Sequence, residues 1–335
     1  MTDTKKLKVL NVAVDDGYAQ TKLVGEDPET GKMVIQIIRS SVRQGRSGLS
    51  SFNGGGIDQY ETEEGDVFTV SNEIESENTQ FDGFHTSQLN RVLVHHALRK
   101  SGYAGRKVNL VTGLPVADYF LDDERDIEHI EAKTSNLKLG VKGSDGGTMP
   151  IVENVRVGCQ AVAAWFDYVL DDNLEQRADV RGAVAIVDIG GRTTDIAVVV
   201  GGNAIDHSMS GTENIGVLDV YNGVRKAIRR EFKIKEKFPL DQLDAAVRTG
   251  EVKLWNKQHN VAELVEAVVG EHERKIAREV ERRLGSAANL NAVVFVGGGS
   301  ALFSTIAGHF PNGVMPEDPE FSNAKGLYKY IKVKA

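Results

Sequence analysis

The sequence predicts an α/β fold of two related lobes with a ligand cleft between them, and three observations carry that prediction. LNVAVDDGYAQTKLV (residues 10–24) and VAIVDIGGRTTDIAVVV (residues 184–200) share one plan. Each is an apolar β-rich run ending in Asp, then x-Gly, a short polar stretch with Thr, and a second apolar run, which describes strand, tight glycine turn and returning strand. The third is AVVFVGGGSALF (residues 292–303), a buried strand of a largely parallel sheet running into a glycine turn.

Taken in chain order, the first hairpin opens the first lobe. Residues 40–60 are rich in Ser and Gly and read as a mobile surface loop or a small insert. Helical periodicity follows at Leu89–Lys100, then strands at Val108–Thr112 and Ile151–Val157, then a helix at Gln160–Leu170. A polar stretch, residues 171–182, closes the lobe. The second hairpin opens the second lobe, with helices at Gly216–Phe232 and Val261–Leu284. Ser300 is placed to cap a helix after the glycine turn. Prolines at 311, 316 and 319 precede a last helix, Asn323–Ile331. Strands alternating with helices define the class. The expected division is residues 1–182 and 183–335, with smaller subdomains at about 36–92 and 222–270.

Composition narrows the function. A chain of 335 residues with one cysteine has no disulfide framework and no cysteine-based zinc cage. Forty Lys and Arg against 48 Asp and Glu give a net charge of −8, so nothing global favours nucleic acid. No apolar run reaches the roughly 20 residues of a membrane span, and the first 20 residues lack a signal-peptide core. We expect a cytoplasmic protein with no membrane partner and no direct nucleic-acid binding.

The hairpins permit phosphate chemistry. A tight glycine turn exposes backbone N–H groups that cradle phosphate oxygens, and Gly17, Gly190 and Gly191 carry no Cβ to obstruct approach. Asp15 and Asp188, one at each strand end, suit a hydrated Mg²⁺, which takes one or two carboxylates and keeps its waters. Thr21, Thr193 and Thr194 offer hydroxyls, and Lys22 a point charge. The turn Gly297–Gly299 lets a bulky ligand lie against backbone. A lone Asp-x-Gly hairpin is ordinarily just a turn. The ordered set of two such hairpins and a Val-Gly-Gly-Gly is far more specific.

This constellation resembles the actin, sugar-kinase and heat-shock-chaperone ATPase superfamily over nearly the whole chain. Asp15-Asp16-Gly17 through Lys22 is similar to its first phosphate motif, Asp188 through Asp195 to its second, and Val296 through Ser300 to its adenosine motif. Residues 157–165 (VGCQAVAAW) and Asn323 through Tyr328 resemble its two connecting motifs. Within it, the ParM/StbA group of bacterial actin-like plasmid-segregation proteins is most similar. The local matches are Val14-Asp15-Asp16-Gly17, Val94 through Leu98 with Ser101-Gly102, Thr112 through Val116 with Tyr119, and Asn214 through Val217.

The resemblance implies ATP and Mg²⁺ as cofactors, with Asp15 and Asp188 facing the metal and phosphates. It places Asp16, Gly17, Thr21, Lys22, Gly190, Gly191, Arg192 and Thr193 along the phosphate chain. Gly297, Gly298, Gly299 and Ser300 fall under the adenosine, and Glu271 and Lys275 among the nucleotide-side contacts. Gln160 falls where the family holds its catalytic Glu or Gln; a Gln orients water but is no strong base. Its bland reading is a helix-start residue. Tyr18 replaces a small Ser, so its ring must find room. Arg192 has two readings, a phosphate contact or a solvent-facing arginine. Cys159 reads as a buried thiol, and His95 and His96 as packing.

The resemblance further implies head-to-tail filaments built with ATP and an adaptor, ParR, that joins filament ends to a centromere-like DNA site. The rival readings are a small-molecule kinase, a chaperone-type ATPase and a non-enzymatic scaffold. No convincing sugar-pocket Asp, no substrate-binding domain and no amphipathic membrane tail is evident for them.

Overall fold

A computed structural model describes residues 8–47, 57–72, 74, 76–77, 79–177, 181–235, 238 and 240–333. Two sheets repeat one motif. In the first lobe the hairpin Val9–Asp16/Gln20–Glu26 is antiparallel, and its first strand also pairs in parallel with Lys107–Leu114. Ile151–Cys159 adds in parallel on one side and Met33–Arg39 antiparallel on the other, giving five strands. In the second lobe the hairpin Ala183–Ile189/Thr194–Val200 is antiparallel, and its first strand pairs in parallel with Ala292–Val296. The repeated sequence plan is therefore a repeated topology.

The central strands of each sheet are buried on both faces and read as near-continuous apolar runs, whereas the outer strands Met33–Arg39 and Ile151–Cys159 are largely exposed. In the second lobe, Val187, Ile189, Ile196 and Phe295 meet Val220, Val224, Val265 and Ile276 from the helices Val217–Glu231 and Ala262–Leu284. Beneath the first hairpin, Leu10, Val12 and Val14 meet Val94 and Leu98 of the helix Gln88–Leu98. His95 and His96 of that helix are buried, bonded to Leu137 O and to the Tyr60 hydroxyl, as packing residues.

Two helices tie the lobes together by exchange. Gln160–Val169 follows the first lobe's last strand but buries Ala161, Ala164 and Trp165 on the second lobe's sheet, against Val184, Ile186 and Val294. Ser322–Val333 follows the second lobe but buries Ala324, Leu327 and Ile331 against Ala13, Val24 and Val111 of the first. They cross at Gly326, where a Cβ would stand 1.7 Å from Ala163 O. Only glycine permits that approach.

Of the two readings of residues 40–60, a loop or a small insert, the described residues fit the insert: Val42–Gln44 and Asp58–Thr62 are strands of a four-stranded sheet completed by Val67–Val70 and Val141–Gly143. The stretch 48–56, including the glycines at 54–56, lies outside the described residues. Ser300 caps no helix. Turns follow Gly299, then a single 3-10 turn at Ile306–His309, and the Ser300 hydroxyl donates back to Val296 O. Among the described residues, three α-helices went unforeseen, the one-turn Val116–Tyr119 and the longer Ile127–Lys138 and Leu240–Thr249.

Candidate nucleotide site

Both hairpin tips open into one cleft of about 790 Å³, counting space continuous with solvent. The strand period decides which tip residues reach it. Successive residues point to opposite faces, so Asp15 and its cross-strand partner Lys22 line the cleft while Asp16 and Thr21 do not. Asp15 accepts from Gln160 Nε2 at 3.0 Å and lies 3.4 Å from Lys22 Nζ. Gly17, Gly190, Gly191, Thr193, Gly298 and Gly299 complete the backbone-rich part of the wall.

Asp188 faces in from the second lobe. Asn323 Nδ2 donates to it at 2.7 Å, while Asn323 Oδ1 is buried without a partner. Burial first, then the charges of Asp15 and Asp195, push the Asp188 carboxyl up to about 7. Asp195 is raised to about 6, chiefly by burial, although it accepts from Val116 N and from the hydroxyls of Thr212 and Thr193. Two carboxylates from opposite lobes, together with an orphaned carbonyl oxygen, suit a hydrated divalent cation. Among the described residues no cluster of three or more His, Cys, Asp or Glu offers a fuller protein cage.

Local structure explains the loops. Gly190 N bonds to Thr193 O, closing a tight turn, and the first amides of the helix Val217–Glu231 bond to Gly190 O and Gly191 O. The helix end therefore holds the loop. Gly297, at φ +89°, passes directly under the second hairpin; a Cβ there would lie 2.1 Å from Asp188 Oδ1. Its role is to let the third motif close on Asp188, and it does not itself line the cleft.

Several expected contacts lie elsewhere. Asp16 is buried behind the strand, where Lys133 Nζ donates to both its oxygens at 2.9 and 2.7 Å and Asn90 Nδ2 at 2.6 Å. Burial raises its pKa, but the Lys133 ammonium and His85 outweigh that and hold it well below the carboxylate range. Thr21 pairs with the Ser40 hydroxyl, which donates to Gly17 O, so it braces the first turn from behind. Ser300 is fully buried. Glu271 and Lys275 pair with each other on an exposed helix face, outside the cleft lining. Arg192 reaches across to Asp82 at 2.7 Å and lies 5.7 Å over the Tyr18 ring. Tyr18 finds its room by packing on the wall against Phe84 and His85.

Sequence reading missed Asn323 as a partner of Asp188, His85 on the wall, and Tyr221 and Arg248 at the rim. Asn323 stands first in the second connecting motif, the one signal that pointed to it. The others carry no local signature.

Comparisons with known proteins agree with this architecture. Residues 10–171 match the family described as plasmid segregation protein ParM, N-terminal. Residues 186–306 match that described as archaeal actin homologue MreB-like, C-terminal. The chain has an actin-like fold, its N-terminal lobe matching the ParM model and its C-terminal lobe the archaeal MreB-like one. Among solved structures, the archaeal actin homologue Ta0583 is similar over 98% of this chain and 100% of its own, at 25% identity and a TM-score of 0.75. Its ADP complex gives 23% over the same shares and 0.74. The 15-stranded ParM filament from Clostridium botulinum gives 20% identity over 98% and 100%, with a TM-score of 0.75. Bacillus thuringiensis ParM with AMPPNP gives 13% over 97% and 99%, and 0.68. Comparison with curated proteins gives no match. Among the described residues, no helix of this actin-like chain is long and apolar enough to cross a membrane.

Proposed function

We propose that this ParM-type protein binds Mg-ATP in the inter-lobe cleft, assembles into filaments and hydrolyses the nucleotide to destabilise them. The observation that carries the reading is the pair Asp15 and Asp188, set by two copies of one hairpin on facing walls of one cleft. In this reading they hold the cation through its waters, which would neutralise charge building on the phosphates. Gly17, Lys22, Gly190, Gly191 and Thr193 cradle the phosphate chain, and Gly298 and Gly299 form the floor beneath the nucleoside. Gln160, fixed on Asp15, orients the attacking water. The ADP and AMPPNP carried by the solved relatives support a nucleotide here.

Closure around the nucleotide fixes the angle between lobes, and a head-to-tail contact that does not close generates a helix of subunits. The ParM filament structure supports that assembly. The biological reading is segregation of plasmid DNA in the cytoplasm of a bacterium, through a ParR-like adaptor on a centromere-like site. The acidic net charge fits contact through an adaptor. Right-angle light scattering on adding Mg-ATP, with phosphate release followed in parallel, tests the core of it. The expected trace rises and then decays with phosphate release, and is flat for Asp188→Ala. Turnover without scattering would replace the filament by a non-polymerising ATPase or small-molecule kinase. Filaments that ignore adaptor and plasmid site would remove the segregation role.

A further inference from the structure

The two most exposed large apolar side chains among the described residues are Trp255 and Leu121, at 67% and 62%. Each stands at the tip of a two-residue hairpin, one on each lobe. Glu251–Leu254 pairs with Lys257–Asn260 through Trp255 and Asn256, at φ +46° and +61°. Phe120–Leu121 pairs with Glu124–Arg125 through Asp122 and Asp123, at φ +49° and +65°. Two positive φ values in succession make a type I′ turn, which takes Asn, Asp and Gly readily. Asp122, Asp123 and Asn256 suit it, but Trp255 puts a bulky side chain in the left-handed region. Folding does not account for that choice. The ring meets Phe232 and His259 only edge-on, at centroid distances of 6.5 and 6.1 Å, and it is Val252 and Leu254 that anchor the hairpin in the second-lobe core.

The two tips carry opposite charge. Lys253 and Lys257 flank Trp255, and Lys233 follows Phe232; all three are exposed and have no ion-pair partner among the described residues. The one acid of that hairpin, Glu251, sits at its far end, bonded to Gln258. Around Leu121 stand Asp122, Asp123 and Glu124, then Glu128 beside Ile127, which is itself 49% exposed. Asp122, Glu124 and Glu128 likewise have no partner among the described residues, and the Tyr119 hydroxyl takes up Arg125. A tip docked on its own copy would set like charge against like, which excludes a symmetric pair. A tip docked on the other kind of tip joins two different surfaces, and such a contact repeats from copy to copy. We propose that the Trp255 hairpin of one copy docks on the Leu121 hairpin and Ile127 of the next, as the contact that propagates the filament. The inference rests on the assembly reading above and names its surfaces. Trp255, covered by Leu121 and Ile127, supplies the affinity, and the lysines and acids choose the partner.

Sedimentation with Mg²⁺ and a non-hydrolysable ATP analogue reads assembly without turnover dissolving the product. Trp255→Ala should raise the critical concentration about thirtyfold, the threshold of an interface hot spot. Lys253→Glu with Lys257→Glu should leave the protein in the supernatant, and so should Glu124→Lys with Glu128→Lys. Mixed in equal amounts, the two charge-reversed proteins should sediment together, because each reversed tip meets its reversed counterpart on the other. Affinity for a fluorescent ATP analogue should be retained in all three variants, which shows that their clefts are folded. Wild-type assembly in Trp255→Ala or in either charge-reversed protein overturns the proposal. So does a mixture that stays in the supernatant, since the two tips then have other partners. A wild type that binds the analogue but never sediments sinks the assembly reading, and this inference with it.

Discussion

In the proposed reading, Asp188 sets how nucleotide binding responds to pH. Burial and the charges of Asp15 and Asp195 lift its carboxyl to about 7, so near neutrality it is about half protonated before any cation arrives. A cation needs the carboxylate, so protons and metal compete for it. Lowering the pH fills Asp188 with a proton and weakens Mg-nucleotide binding. Raising the pH through 7 strengthens binding until the group is fully ionised. For one proton, affinity should rise about tenfold from pH 6 to pH 8 and flatten above that. Titrations of a fluorescent ADP at three pH values, with Mg²⁺ and with chelator, would show it. A flat profile would mean that Asp188 does not hold the cation. Cys159 makes a second prediction at this scale. It is 4% exposed and burial pushes its thiol up to about 12, so almost none is thiolate at pH 8. An alkylating reagent should leave the folded protein unmodified and label it only in denaturant.

The crossing of the two connecting helices is the element most sensitive to a single atom. Gly326→Ala puts a methyl 1.7 Å from Ala163 O, and backbone cannot yield as a flexible side chain would. Overpacking of this kind costs about 1–3 kcal/mol, and urea midpoints would measure it. Because Asn323 sits one turn earlier on that helix and holds Asp188, the same variant should also weaken nucleotide binding. Stability lost with binding intact would show that the helix yields without moving Asn323. Elements such as these were legible where apolar period and glycine punctuation coincide. The hairpins, the Gly297–Gly299 turn and the long second-lobe helices all stood out for that reason. Ile127–Lys138 was not, because the residues it buries are Lys133, Asn136 and Leu137. Two polar residues of three leave no apolar stripe to detect. The same physics hid the role of Asp16, whose partner lies 117 positions away on that helix. The family resemblance placed Glu271 and Lys275 among the nucleotide contacts, but their i,i+4 spacing fits a surface pair better.

Across the whole molecule, ion pairs join the two lobes beside the cleft in addition to their apolar contacts. Arg39, ending the first lobe's edge strand, lies 3.5 Å from Asp244 on the helix Leu240–Thr249. Asp244 is already held by the Tyr221 hydroxyl at 2.7 Å and Arg248 Nε at 3.0 Å, so the second-lobe half of this bridge is rigid. Arg192 and Asp82 form a second bridge, at 2.7 Å. Solvent-reachable pairs of this sort shift an equilibrium by only about twofold to fivefold each. That is enough to tilt a lobe angle yet leave the nucleotide in command. Arg39→Ala with Arg192→Ala should therefore open the nucleotide-free protein, seen as a larger radius of gyration in solution scattering. Saturating Mg-nucleotide should restore the wild-type radius, because contacts through Asp15 and Asp188 span the cleft independently. Nucleotide affinity should drop by no more than about 25-fold, the product of two such biases at their upper end. High salt should reproduce the effect in the wild type and add little in the double variant. A radius indifferent to both salt and substitution would mean that the connecting helices alone set the angle. Closure would then owe nothing to the charged rim.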